Sequence, residues 1–222
     1  WDDSDAVRHR CPIPQQLTLS SLPLFPLNTV LFPDGELALR VFEVRYLDMV
    51  RKCQLAGAPF GVVALEAGAE VRKAGGPHEE LHATGTLANI EELLSPQPGL
   101  LSLRCKGADR FRITSQRLLK HGLWVADVVL IPADQVVAVP GELQSCADLL
   151  ATALHSLRDK APGAIHIQPT PAQLNDCAWV SNRWCELLPI PLELKQRLMT
   201  LDNPLARLEL VSDILEQTGI SR

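Results

Sequence analysis

The sequence predicts an α+β fold: a mixed, barrel-like β region over residues 19–139, then an α-helical bundle over residues 140–222. Three observations carry this reading. Between Leu19 and Ile131, short apolar segments alternate with polar residues at period two and are separated by Gly- and Pro-containing turns. A single helical stretch interrupts them. From Pro140 onward the apolar period changes to that of a helix.

Residues 1–18 are polar and carry Pro12 and Pro14, as expected of a loose lead-in. Leu19 to Phe32 is apolar, but Pro23 and Pro26 lack an N–H, which predicts an edge or irregular strand rather than a central one. Pro33-Asp34-Gly35 is a turn signal. From Glu36 to Phe42, Leu37, Leu39 and Val41 share one face of a strand. From Glu43 to Ala56 the spacing of Val44, Leu47, Val50 and Leu55 turns helical, and Gly57 stops it. Phe60 to Leu65 reads as a short buried strand, and Glu66 to His82 as a polar, Gly-rich excursion. Thr84–Leu93, Leu100–Lys106, Arg110–Leu118 and Leu123–Ile131 read as four further strands. In the second of these, Leu101, Leu103 and Cys105 oppose Ser102, Arg104 and Lys106.

In the helical part, Leu143, Cys146, Leu149, Leu150, Ala153, Leu154 and Leu157 form one stripe between Glu142 and Lys160. A linker from Pro162 leads to helices over Pro171–Leu188, Leu192–Leu201 and Pro204–Gln217. Asp202 or Asn203 is the expected N-cap before Pro204 in the first turn.

Composition narrows the function classes. The 21 Lys+Arg against 26 Asp+Glu give a net charge of −5. Residues 1–139 hold 14 basic and 16 acidic groups, and residues 140–222 hold 7 and 10, so neither part is basic enough to signal nucleic-acid binding. The six cysteines contain no C-x-x-C pair, and most sit in apolar patterns, as buried free thiols of a reducing compartment do. The acidic start Trp1-Asp2-Asp3-Ser4-Asp5 is unlike a signal peptide, and no apolar run approaches membrane-spanning length. The expectation is a soluble cytoplasmic protein without cofactor.

The segment from Leu22 to Val50 (LPLFPLNTVLFPDGELALRVFEVRYLDMV) closely resembles the opening of the N-terminal substrate-recognition domain of Lon proteases. Further pieces follow in the family's order: Phe60-Gly61-Val62-Val63, Gly85-Thr86-Leu87-Ala88, Gly107-Ala108-Asp109-Arg110-Phe111-Arg112, and the stretch from Leu194 to Leu208. The resemblance runs from Leu19 to Gln217 and is closest to the free-standing bacterial form of the domain. It implies a PUA-like pseudo-barrel with one helix, then a helical bundle, and a non-catalytic module that binds unfolded or extended polypeptide. No G-x-x-x-x-G-K-[ST] occurs, so no P-loop ATPase is expected. Val44 departs from the Pro that the family often has at the first turn of this helix.

Candidate site residues follow. Pro23, Phe25, Phe32, Phe42 and Tyr46 are the candidate peptide-binding set, since an irregular, Pro-rich edge beside aromatics can accept an extended chain. Pro26 and Pro33 belong to the same apolar stretch, and core packing of Phe25, Leu27 and Phe32 is the competing reading. Glu43 and Arg45 open the first helix, where a helix-end charge and an ion pair compete with a binding role. Arg104, Lys106, Arg110 and Arg112, placed on one face of two adjacent strands, are the RNA-binding alternative, although only Trp124 is near for base stacking. Trp179 and Trp184 either pack the bundle or mark a partner surface. His78-Glu79-Glu80-Leu81-His82 spells H-E-x-x-H, which binds zinc only on a helix. Here Gly75-Gly76-Pro77 precedes it, and in an extended chain the two His stand about 13 Å apart, so no metal site is expected.

Overall fold

Pro23 and Pro26 fit into β1 (Thr18–Leu27) because each half of that strand has a partner on one side. Thr18–Pro23 pairs antiparallel with β6 (Trp124–Leu130), and Leu24–Leu27 pairs parallel with β3 (Phe60–Ala67). The strand is irregular, as its prolines predict, with a register shift between Leu19 and Leu22 and a left-handed Ser21 (φ 53°). It is not an edge, however: β3 and β6 flank it in the sheet order β2-β5-β4-β3-β1-β6. The computed structural model describes residues 16–71, 76, 78–163 and 166–220; most of the expected lead-in, with Cys11, lies outside them.

β4 (Glu80–Gln97) and β5 (Leu100–Leu118) form one long hairpin, longer than the separate strands read from the sequence. The two segments expected at Leu100–Lys106 and Arg110–Leu118 are a single strand, shared between two neighbours. Its first half pairs with β2 (Glu36–Val41) and its second half with β6. The β5–β6 pairing closes five strands into a barrel, leaving β2 alongside. Closure removes sheet edges that would otherwise invite aggregation.

Helix α1 (Val44–Ala56) packs Tyr46, Leu47, Met49, Val50 and Cys53 into the barrel core beside Phe25, Phe60, Val62, Leu103 and Cys105. Gly57 ends it in the left-handed conformation (φ 59°), where its N–H reaches the Cys53 and Gln54 carbonyls. The expected stripe was partly wrong: Val44 and Leu55 are exposed.

After a 3-10 turn (Gly141–Leu143) come α2 (Gln144–Lys160), α3 (Pro171–Leu174), α4 (Cys177–Leu187), α5 (Leu192–Thr200) and α6 (Pro204–Gln217). The single helix expected over Pro171–Leu188 is broken at Asn175. Asp176 restarts it by accepting from the Ala178 N–H, a side-chain cap that competes with continuing the helix. Asn203 caps α6 by accepting from the Ala206 N–H at 3.1 Å. Every residue of α4 from Cys177 to Cys185 is buried, so α4 is the axis of the helical part. Val30, Phe32 and Ala64 from the β region belong to the same apolar cluster as Leu150, Trp184 and Leu208. Barrel and helices therefore share a core. Polar ties reinforce it: Gln196 Nε2 donates to the Thr84 carbonyl at 2.9 Å and Arg183 Nη2 to the Pro33 carbonyl at 2.7 Å.

Candidate functional site

The five residues offered for peptide binding part company in the structure. Phe25 and Tyr46 are buried and stack with ring centroids 4.1 Å apart at 16°, and Phe60 stands 6.0 Å from Phe25. Phe32 is buried in the cluster shared with the helices. These three rings are packed in the core, which closes the groove they were expected to line. Phe42 is 55% exposed, because it falls just past the paired end of β2. Pro23 is half-buried and lines an open groove of about 420 Å³.

Three elements make this groove. α1 contributes Val44, Asp48, Met49, Lys52 and Cys53. The turn between β5 and β6 contributes Leu119, His121 and Leu123, and the strands beneath contribute Pro23 and Val125. The lining is mainly apolar, with Asp48, Lys52 and His121 as polar points. Val44, 75% exposed, sits off the buried stripe of α1 and meets the groove instead.

Arg45 fixes the groove's shape. Its Nη1 donates to the Gly122 carbonyl at 2.9 Å, tying the β5–β6 turn to the start of α1. Its Nε meets Glu43 at 3.1 Å and its Nη2 meets Glu79 at 3.1 Å. Trp124 Nε1 donates to the other Glu79 oxygen at 2.7 Å, and the guanidinium lies 4.5 Å over the Tyr46 ring. A buried cation with two carboxylates and an aromatic face is satisfied in place. Arg45 therefore positions the groove wall; Glu43 holds Arg45 and makes no side-chain cap. Burial pushes the Cys53 thiol up, and its sulfur contacts the Met49 sulfur and the Pro59 carbonyl at 3.8 Å, so it is not an activated nucleophile.

Glu79 belongs to the H-E-x-x-H segment, and its bonds to Arg45 and Trp124 give it a structural task. The chain enters β4 at Glu80, so His78 and His82 do not share a helical turn. Among the described residues, no three His, Cys, Asp or Glu side chains gather as a metal site would need.

The expected basic face does not form. A register shift separates the pairs Ala88–Gly107 and Thr86–Arg110, and it turns Arg110 inward. Arg110 is 3% exposed and pairs with Asp134 at 3.0 Å and Asp202 at 3.3 Å. Arg104 pairs with Glu92 at 3.6 Å and Lys106 with Asp34 at 3.5 Å, leaving Arg112 exposed on the far side of the shift. Trp179 and Trp184 are buried in the helical core, where Trp184 Nε1 donates to the Cys146 carbonyl at 2.9 Å.

Sequence reasoning missed Met49, Lys52, Leu119, His121, Leu123 and Val125 as groove residues. One signal was visible: Leu118, Leu119 and Leu123 flank the tight turn Lys120-His121-Gly122, where polar residues are the rule. The other groove residues are indistinguishable from core positions by pattern alone.

Residues 21–217 match the model of the ATP-dependent protease La (LON) substrate-binding domain. A crystal structure of a Lon N-terminal domain protein from Xanthomonas campestris is 34% identical, with a TM-score of 0.67, covering 88% of this chain and 98% of that one. The N-terminal domain of a Mycobacterium avium complex Lon protease shares the fold at 16% identity, with a TM-score of 0.55 over 87% of this chain and 96% of that one. No curated protein matches the chain. The family match covers the closed barrel, its plugging helix and the helical part alike, and the chain belongs to the Lon substrate-binding domain family.

Proposed function

We propose that this chain is a non-catalytic module that binds unfolded or extended polypeptide, seating an apolar client side chain in the groove between α1 and the β5–β6 turn. The observation that carries this reading is the groove itself: about 420 Å³, with Met49, Leu123 and Val125 in its wall and Val44 left 75% exposed beside it. Its size falls within the range of about 300–1,000 Å³ usual for binding pockets. Exposed apolar groups are kept at such places because a partner covers them. The description of the matched family as a substrate-binding domain supports the same reading. Phe42, two residues before Val44, adds exposed apolar surface at the helix start. A cytoplasmic, reducing location is part of the proposal and rests on the five cysteines among the described residues, all buried and free.

The test is fluorescence anisotropy of labelled, reduced and carboxymethylated lactalbumin, a permanently unfolded chain. Saturable binding at about micromolar Kd, roughly −8 kcal/mol, is expected. Val44→Asp, at an exposed position that the fold does not need, is expected to weaken it at least tenfold. Absence of saturable binding, or equal binding by the Val44→Asp protein, would overturn the proposal. No observation favours the RNA reading, since Arg110 is buried and Arg104 and Lys106 have carboxylate partners.

A further inference from the structure

A second cleft is separate from the groove. It measures about 620 Å³ and lies between the chain that leaves β6 and the start of α6. Ile131, Pro132, Ala133, Asp134, Gln135 and Val137 form one wall; Asp202, Asn203, Pro204 and Leu205 form the other. The wall from Ile131 to Val137 runs without a turn or bend. It is β-bonded at both ends. The Ile131 N–H donates to the Arg110 carbonyl at 2.8 Å, one step beyond the Phe111–Leu130 pair of the β5–β6 ladder. At the other end the Cys177 N–H donates to the Val137 carbonyl at 2.8 Å, and Ala138 bridges Asp176 antiparallel.

Between these ends, Ala133 to Val136 make no main-chain hydrogen bond to any described residue. The Asp134 side chain pins the stretch at its middle, to Arg110 at 3.0 Å and to Arg207 at 2.8 Å. A chain without turn or bend, held at three points and with unpaired donors and acceptors between them, can accept a pairing strand. Natural sheets protect such edges with Lys, bulges or covering loops. Here Pro132 stands at one end, and no Lys or Arg lies in Ala133–Val136. The charges around the cleft cancel: Arg110 and Arg207 against Asp134 and Asp202. A neutral cleft with unpaired main-chain groups on its wall suits main chain rather than a charged side chain.

We propose that Ala133–Val136 is a second binding site, which takes an extended polypeptide segment by β-pairing its main chain across this cleft. Four residues at about 3.3 Å each offer about 13 Å of edge, enough for a strand of four to five client residues. The site stands on a different surface from the groove, and it can hold or fail independently of the groove reading.

The probe is a fluorescein-labelled octapeptide of alternating Thr and Val flanked by Lys, compared with two versions N-methylated at alternate amides, one for each side of the strand. Tight pairing uses one side of the peptide, so one methylated version is expected to bind at least tenfold more weakly than the unmodified peptide. Gln135→Pro and Val136→Pro each remove one N–H at an exposed position whose preceding residue lies outside any helix or turn. One of them is expected to lose at least tenfold with circular dichroism and melting unchanged, whereas Val44→Asp is expected to bind the octapeptide as the parent protein does. Unmodified peptide that does not bind, methylated peptides that bind equally well, or both proline variants binding like the parent would each overturn the proposal. So would sedimentation showing a dimer that the octapeptide dissociates and Gln135→Pro abolishes, since the edge would then be filled by a second copy of the chain. Loss of octapeptide binding with lactalbumin binding that still depends on Val44 refutes this site alone; octapeptide binding with lactalbumin binding unchanged by Val44→Asp refutes the groove alone.

Discussion

Asp134 joins two buried arginines where the barrel meets the helices. Its side chain is 8% exposed and lies between Arg110 and Arg207, themselves 3% and 1% exposed. Asp134→Asn keeps the shape and removes the charge. Both guanidinium groups retain other acceptors: Arg110 bonds the Met199 carbonyl at 2.9 Å, and Arg207 bonds the Leu198 carbonyl at 2.9 Å and Asn182 Oδ1 at 3.0 Å. Charge compensation is lost, because Asp202, the remaining carboxylate near Arg110, has a side chain 77% exposed. Breaking a buried ion pair costs about 3–5 kcal/mol. The retained hydrogen bonds put Asp134→Asn at the lower end, about 3 kcal/mol. With a urea slope of about 3 kcal/mol per molar, the unfolding midpoint is expected to fall by about 1 M. A drop below about 0.3 M would place this cluster with exposed ion pairs of at most about 1 kcal/mol and refute the reasoning. The triple variant Arg110→Met, Asp134→Leu, Arg207→Met separates the causes. If uncompensated charge is the cost, removing all three charges recovers the loss. A triple variant as unstable as Asp134→Asn would show that packing of the long side chains, not charge, holds the junction.

Two further outcomes follow from the same junction. Burial pushes the Glu186 carboxyl up to about 7, against the opposing pull of Arg183 and Lys195, with Glu36 adding repulsion. Its folded pKa lies above the unfolded value of 4.5, so its contribution is fully present below pH 4.5 and is lost as pH rises through 7. At about 1.4 kcal/mol per pH unit, this amounts to at most about 3 kcal/mol across that window. Glu186→Gln should flatten the corresponding slope in melting temperature between pH 5 and 7.5, and an unchanged slope would remove Glu186 as its source. Gly107 lies against the Phe32 carbonyl, and its own N–H and carbonyl bond Gly35 and Asp34 at 2.8 and 2.9 Å. A methyl group there must push the Phe32–Gly35 turn away, so Gly107→Ala should destabilise by about 1–3 kcal/mol in urea melts, and a neutral result would mean the turn yields freely.

The fold was legible where one face of a strand or helix is buried and its neighbour is wet. Leu101, Leu103 and Cys105 alternate with Ser102, Arg104 and Lys106, and the first three are buried as read. Pattern failed where the backbone changes register. The shift between Gly107 and Arg110 moves an arginine from the wet face to the interior, and no period of two can announce it. It failed again at Asn175-Asp176, where a capping side chain began a new helix inside a segment that reads as one. Of the expected peptide-binding set, Pro23 lines the groove and Phe42 is exposed, whereas Phe25, Phe32 and Tyr46 are core. The reason is physical. Aromatic residues in a strand and in a helix facing it make a core as readily as a groove, and the difference lies in whether a third element covers them. Phe60 covers Phe25 here.

The residues that identify the family are therefore mostly the ones that build it, and binding has to be sought among residues free of that task. Val44 is such a residue, an exposed apolar group beside a groove; in Ala133–Val136 the Asp134 side chain builds the fold, but the main chain is unpaired among the described residues. On the two proposals these read different things: the groove would select for an apolar side chain, and the edge would accept the main chain that every polypeptide has. A client long enough to reach both would convert two weak contacts into one strong one, since linkage raises apparent affinity by about 10²–10⁴ over either site alone. Two sites of about 100 μM each would then hold a long unfolded chain at about micromolar or better. Short peptides, and folded proteins whose main chain is already paired, would be released. A recognition unit of this kind discriminates by extension and length rather than by sequence, which is what binding of unfolded chains in general demands.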